Sequence, residues 1–190
     1  KPLIMLEELG IDAEVRWVDL SSGLQRSEPF LALNPSGKIP VLQDGERVVW
    51  ESGAILLHLA ETRGGLLPAD PDRRMEAIQL CFFQAGALGP HGGRLASQWG
   101  RDERDEAAFE DARAQVQRIL TATGRILADG RDFLAGEYSI ADVMHYPWLS
   151  YLQRLRIDGL DWPASLLAWS DRIGGRDAVK RAYRRRPPAG

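Results

Sequence analysis

The residues with chemical potential cluster in one stretch: Lys38, Ile39 and Pro40, then Glu51 and Ser52. Residues 39–42 (Ile-Pro-Val-Leu) and 48–50 (Val-Val-Trp) read as two short strands, with Asp44-Gly45 between them as a hairpin signal. Proline cannot donate to a strand ladder, so Pro40 belongs at an edge, a bulge or the first strand position. At the far end, Glu51-Ser52 leads into an apolar helix. A helix N-terminus offers N–H groups without partners and the positive end of the helix dipole, both of which favour an anion. Each polar residue also has a plain structural reading: Ser52 as an N-cap, Glu51 as a first-turn acid, Lys38 as a solvated loop lysine.

The elements that must position these residues change character near residue 63. Before it, residues 1–9 carry a helical apolar spacing (Leu3, Ile4, Leu6, Leu9) stopped by Gly10. Residues 14–20 read as a strand and 29–33 as a short helix stopped by Asn34-Pro35. The hairpin follows, then a helix over 52–61 with Ile55, Leu56 and Leu59 inward. Glycines and prolines make 63–71 a linker. Beyond it no strand pattern occurs. Residues 72 to about 88 form an apolar helix, interrupted by Gly89-Pro-His-Gly-Gly93. Further helices are expected over 103–127, from the Ser139-Ile-Ala-Asp142 capping box to Leu155, over 165–173 and over 177–183. The division is residues 1–62, a linker 63–73, and an all-helical domain 74–190.

Composition sets limits. The chain has 190 residues, 44% hydrophobic and 27% charged, with a net charge of -3. That balance gives no broad attraction to nucleic acid, and the basic run 181–186 reads as a solvated helix end. No apolar stretch approaches the roughly 20 residues that span a bilayer, and no signal-peptide pattern is visible. A single cysteine, Cys81, excludes an internal disulfide and fits a reducing, cytoplasmic setting. Three scattered histidines and one cysteine give no metal-ligand spacing. His91 reads as a loop or interface histidine, and Cys81 as a buried, inert thiol.

Three segments carry a resemblance: Asn34-Pro-Ser-Gly-Lys-Ile-Pro-Val-Leu42, Trp50-Glu-Ser-Gly-Ala-Ile55 and Leu134-Ala-Gly-Glu-Tyr-Ser-Ile-Ala-Asp142. In order and spacing they resemble the soluble glutathione S-transferases over nearly the whole chain. Asp19-Leu-Ser-Ser-Gly-Leu-Gln25 and Gln84-Ala-Gly-Ala-Leu-Gly-Pro90 look like the bacterial and fungal Ure2-like, disulfide-reducing subgroup. His91-Gly-Gly-Arg94 departs from the subgroup's usual loop, which puts the acceptor-substrate site in question.

The resemblance implies an α/β thioredoxin-like domain followed by an all-α helical-bundle domain. Roughly a dozen residues, including the first strand and the thiol-activating residue, are then expected ahead of Lys1. It implies a cis Pro40 that leaves the backbone of Ile39 bare for the cysteinyl unit of glutathione. Ser52 would hold the γ-glutamyl carboxylate, Glu51 the γ-glutamyl ammonium, Lys38 the glycyl carboxylate, and Gln25 would also contact glutathione. Phe82, Phe83 and Trp99 would wall a second-substrate pocket, against the plainer reading of all three as core. Ser139 and Asp142 are structural. The implied function is a glutathione transferase, a homodimer whose glutathione thiolate attacks an electrophile or a disulfide. A non-catalytic glutathione-binding regulator and a transferase-like interaction module are the alternatives.

Overall fold

The computed structural model describes residues 1–185, which fall into two compact units: residues 1–65 with the last helix, and residues 66–176. The first unit holds α1 (Pro2–Leu9), a 3₁₀ turn at Leu24–Arg26, α2 (Glu28–Leu33), β1 (Val41–Asp44), β2 (Arg47–Trp50), α3 (Ser52–Arg63) and α9 (Asp177–Arg184). The second holds α4 (Pro71–Phe83), a π-helical turn at Gln84–Leu88, α5 (Gly89–Trp99), α6 (Glu106–Ile126), α7 (Ile140–Leu155) and α8 (Ala164–Gly174).

In the first unit β1 and β2 pair antiparallel, Val41 opposite Trp50 and Asp44 opposite Arg47. Gly45 takes φ 61° in the two-residue turn, a conformation open to glycine without a Cβ penalty. The apolar spacing of α3 buries Ile55, Leu56 and Leu59, and α1 buries Ile4, Met5 and Leu6. Truncating Leu56, which is fully buried, to alanine would cost about 2–5 kcal/mol. Asp44 fastens the turn end of the hairpin to α3: His58 Nε2 lies 2.8 Å from its carboxylate, and Arg63 pairs with the other oxygen.

Helix α9 packs on α1 through Ala178, Val179 and Ala182. Arg181 and Arg185 both pair with Glu7, at 2.8 and 2.6 Å. The sequence reading assigned 177–190 to the helical domain; contacts group the described part of that stretch with α1 instead. The basic run therefore serves an acid on α1 as far as Arg185, and Arg186 lies outside the described residues.

Residues 14–20 are not a strand. A strand exists only through its ladder, and among the described residues β1 pairs with β2 alone. Only Val15 and Val18 are half-buried there, three residues apart, and Trp17 is 42% exposed, so the period-two burial of a strand is missing as well.

In the second unit α7 is the central helix. Nine of its sixteen residues are buried, from Ile140 through Leu152, the mark of a helix covered on nearly all sides. It packs on α4, α5 and α8, while α6 packs on α5 and α8. Residues 89–93 do not interrupt the helical path as their glycines suggested; they open α5. Pro90 follows directly on the π-helical turn, whose wider loop is closed by the Gly89 N–H bonding back to Gln84 O. Gly92 and Gly93 are there for proximity: a Cβ on Gly92 would lie 3.3 Å from both Trp148 and Leu152, and one on Gly93 3.4 Å from Trp148. Gly124 lets α6 approach Pro163 more closely still, where a Cβ would meet the proline ring at 2.6 Å.

Candidate binding site

The register of the hairpin decides which sequence-predicted residues meet. Val41 faces Trp50, so the residues just before β1 and just after β2 lie at one end of the ribbon. Pro40 and Glu51 therefore flank the Val41–Trp50 pair, with Lys38 and Ile39 next in the chain on one side and Ser52 on the other. The Ile39–Pro40 peptide bond is cis. Ile39 is 49% exposed, and its backbone N–H and C=O make no hydrogen bond among the described residues. Lys38 is exposed as well.

No side chain caps the start of α3. Glu51, not Ser52, occupies the cap position, with φ 69° and ψ 122° and no side-chain cap bond. A non-glycine residue in that region costs of order 1–3 kcal/mol and persists only where the surroundings enforce it. Its main-chain carbonyl accepts the first helical bond from the Ile55 N–H at 2.9 Å. Ser52 is the first helical residue, half-buried, and its Oγ accepts from Lys1 Nζ at 3.4 Å. The ordinary N-cap reading of Ser52 is thus replaced: the helix starts one residue earlier than a capping serine would place it. The N–H groups of the first turn have no intrahelical acceptor.

Gln25 lies in the 3₁₀ turn, and its carbonyl oxygen would be 3.2 Å from a Cβ on Gly37, so it abuts the loop that carries Lys38. Its Nε2 donates to the Leu20 carbonyl at 3.3 Å. Its Oε1 is buried without a partner among the described residues, an acceptor that a ligand N–H would satisfy. The loop itself turns on the buried side chain of Asn34, which the sequence reading passed over. The Asn-Pro-Ser-Gly run is an Asx-turn signature and was the available signal.

The Ser139–Asp142 pair forms a full capping box. Asp142 is wholly buried and accepts from four donors: the N–H groups of Ser139 (2.9 Å) and Leu134 (3.0 Å), Ser139 Oγ (3.3 Å) and the Trp169 indole (2.7 Å). Burial pushes its carboxyl above the usual range, and the hydrogen bonds pull the other way. Leu134 and Trp169 are eight and 27 residues away, and no local pattern pointed to them.

Phe82, Phe83 and Trp99 are not gathered around one pocket. Phe82 is 74% exposed on α4. Phe83 is half-buried, with its ring 6.1 Å from that of His145. Trp99 is at the last residue of α5, about 15 Å along the helix from Gly89. It stacks on Phe109 of α6 at 6.0 Å, with the Arg104 guanidinium over both rings. His91 is half-buried on α5 and not in a loop. Cys81 is a buried thiol. Among the described residues no group of three or more His, Cys, Asp or Glu could hold a metal ion, and no helix is long and apolar enough to cross a membrane.

Comparison with known proteins agrees with this fold. The family model for the glutathione S-transferase N-terminal domain matches residues 1–62, and that for the C-terminal domain residues 71–177. The chain is 35% identical to the disulfide-bond oxidoreductase YfcG of Escherichia coli, covering 96% of this chain and 88% of that protein. A glutathione transferase from Pseudomonas putida, with one glutathione disulfide bound per subunit, superposes with a TM-score of 0.90 at 32% identity, covering 96% of this chain and 84% of that one. The yeast prion protein Ure2p in complex with glutathione superposes with a TM-score of 0.87 at 26% identity, covering 96% and 87%.

Proposed function

The chain belongs to the glutathione S-transferase family, nearest its Ure2-like and disulfide-bond oxidoreductase members, and on that premise we propose that it binds glutathione at the open end of the hairpin and uses the glutathione thiolate to attack a disulfide. The observation that carries this reading is the juxtaposition of the bare Ile39 peptide groups with the start of α3, where the exposed Glu51 makes no side-chain cap bond.

Each end of the tripeptide has a match. Ile39 pairs its backbone with the cysteinyl unit as a short antiparallel strand. The γ-glutamyl carboxylate sits at the N-terminus of α3, on the Ser52 hydroxyl and N–H. Glu51 accepts from the γ-glutamyl ammonium, Gln25 Oε1 from another ligand N–H, and Lys38 faces the glycyl carboxylate. A free thiol of pKa about 8.5 is mostly protonated at neutral pH, so the site must favour the thiolate. The thiolate attacks one sulfur of the disulfide; a new S–S bond joins it to glutathione and the other sulfur leaves as a thiolate. Attack on an electrophilic carbon uses the same nucleophile and forms a C–S bond instead.

The names of two relatives, YfcG and YghU of Escherichia coli at 35% and 31% identity, support disulfide chemistry over conjugation. A cytoplasmic, reducing setting suits it. We also propose a homodimer. Met75 and Phe82, 62% and 74% exposed, are seven residues apart and so share one face of α4, an apolar stripe that a second copy would cover. Sedimentation should give twice the 21.2 kDa chain mass; a monomer at micromolar concentration would count against it. Turnover of a small mixed disulfide with glutathione is the test of function. Tight glutathione binding with no turnover of either a mixed disulfide or a chlorinated aromatic would favour the regulator instead.

A further inference from the structure

Asn34 is 2% exposed and uses every hydrogen-bonding group it has. Its N–H donates to Phe30 O at 2.9 Å, ending α2, and its carbonyl accepts from Gly37 N at 3.0 Å. Its side-chain Oδ1 accepts from the N–H and the hydroxyl of Ser36, at 3.0 and 2.8 Å. Its Nδ2 donates to the carbonyl of Lys38 at 2.6 Å. The amide orientation is fixed by its partners, because the Ser36 N–H can only donate and the Lys38 carbonyl can only accept.

The last bond has a consequence one residue on. The carbonyl of Lys38 and the N–H of Ile39 belong to one peptide unit. That unit is planar and trans, since the cis bond follows Ile39, so the two groups point in opposite directions. With the Lys38 oxygen drawn in to Asn34, the Ile39 N–H must point away from it, and this N–H has no partner among the described residues. Gly37, at φ 62° and held against the Gln25 carbonyl, secures the other side of the loop.

We propose that Asn34 is a positioning residue for glutathione: it orients the Lys38–Ile39 peptide so that the Ile39 N–H is presented to a carbonyl of the tripeptide. This rests on the proposed glutathione site, and touches the ligand only through Ile39. Removing Nδ2 frees the peptide to rotate. Replacing it with a second oxygen, as in Asn34→Asp, sets a carboxylate against the Lys38 carbonyl and drives the rotation.

The test begins with the unaltered protein. In amide hydrogen exchange by NMR, Ile39 should exchange freely without ligand and become protected when glutathione is added. Protection already present in the free protein overturns the proposal. Calorimetric titration of glutathione into Asn34→Asp and Asn34→Ala, below the melting temperature of each, should show affinity lowered about tenfold for Asp and less for Ala. The KM for the disulfide substrate should not move while the KM for glutathione rises. Lower melting temperatures with glutathione affinity within twofold of wild type make Asn34 merely structural and overturn it. Ser52→Ala is measured alongside: if it weakens glutathione binding and Asn34→Asp does not, only the positioning role fails. If neither variant matters, or the wild type does not bind, the hairpin reading fails and this inference with it.

Discussion

Two helices in this molecule begin with a serine near an acid, and they are opposites. At the start of α7, Ser139 and Asp142 face inward and satisfy each other, the Leu134 amide and the Trp169 indole. At the start of α3, Glu51 is exposed, strained and makes no cap bond. The residue types are nearly the same; what differs is how much of their hydrogen-bonding capacity the protein itself consumes. A closed network resists change and gains stability. The start of α3 instead keeps a strained backbone at Glu51 and an exposed carboxylate within reach of a ligand. Composition alone would not separate them, and the count of internal partners does.

The largest effect belongs to the closed network. Asp142→Ala leaves three buried N–H donors without an acceptor, and should cost about 4 kcal/mol or more, an effect of about 8–16 °C on the melting temperature for a chain of this size. Glutathione affinity of the folded variant should be unchanged. A fall of only a degree or two would show that the network relaxes onto water, and would remove the contrast.

Ser52→Ala is the mirror experiment. Calorimetry should show glutathione affinity weakened by about 1–2 kcal/mol, the usual worth of a charge-assisted hydrogen bond, with melting within about a degree of wild type. Unchanged affinity in a folded variant would sink the assignment of this serine.

Glu51→Gly separates strain from function. Glycine adopts φ 69° freely, so relief of strain should offset the entropy cost of the glycine and raise stability by up to about 1 kcal/mol. Glutathione should bind more weakly for want of the carboxylate. A destabilised Glu51→Gly would mean that the backbone at α3 is not strained at all.

The smallest effects concern pH, and the two buried or half-buried aspartates should run in opposite directions. The Asp142 carboxyl is raised by burial, so its contribution to stability is fully present below the unfolded value of about 3.9 and fades as pH rises through the folded pKa. The stability advantage of wild type over Asp142→Asn should therefore shrink as pH rises above about 4. Asp44 is held low, first by its bond to His58 and then by the Arg63 charge. Its contribution is present above about 3.9 and is lost as pH falls through the lower folded value. Wild type relative to Asp44→Asn should lose its advantage only below pH 4. Equal slopes for the two variants in chemical denaturation would contradict the assignment of opposite environments.

What the sequence could disclose follows the range of the interactions. The hairpin and the helices beyond residue 70 other than α5 are written in local periodicity and in turn residues such as Gly45, and their bounds lie within a few residues of the observed ones. Residues 14–20 were misread because a strand is defined by a neighbour, which no local pattern supplies. Gly92 and Gly93 look like a loop in sequence because their reason is Trp148, over fifty residues away. The Asp142 network was half legible: Ser139 is three residues off, Trp169 is on another helix. Trp99 follows Phe82 and Phe83 closely in sequence, which is why the sequence reading joins it to their pocket, whereas its partner Phe109 lies on α6. At the candidate site itself the residue types were plain, but the strained cap at Glu51 and the inward turn of Asn34 depend on backbone geometry that side-chain identity does not encode.

The most direct measurement is a glutathione titration of the wild-type protein followed amide by amide in NMR spectra. The account predicts saturable shift changes centred on Gln25, Lys38, Ile39, Glu51 and Ser52, with the amides of Ser139 and Asp142 unmoved. Saturable changes that spare the Ile39 and Ser52 amides, or no saturation at millimolar glutathione, would contradict it.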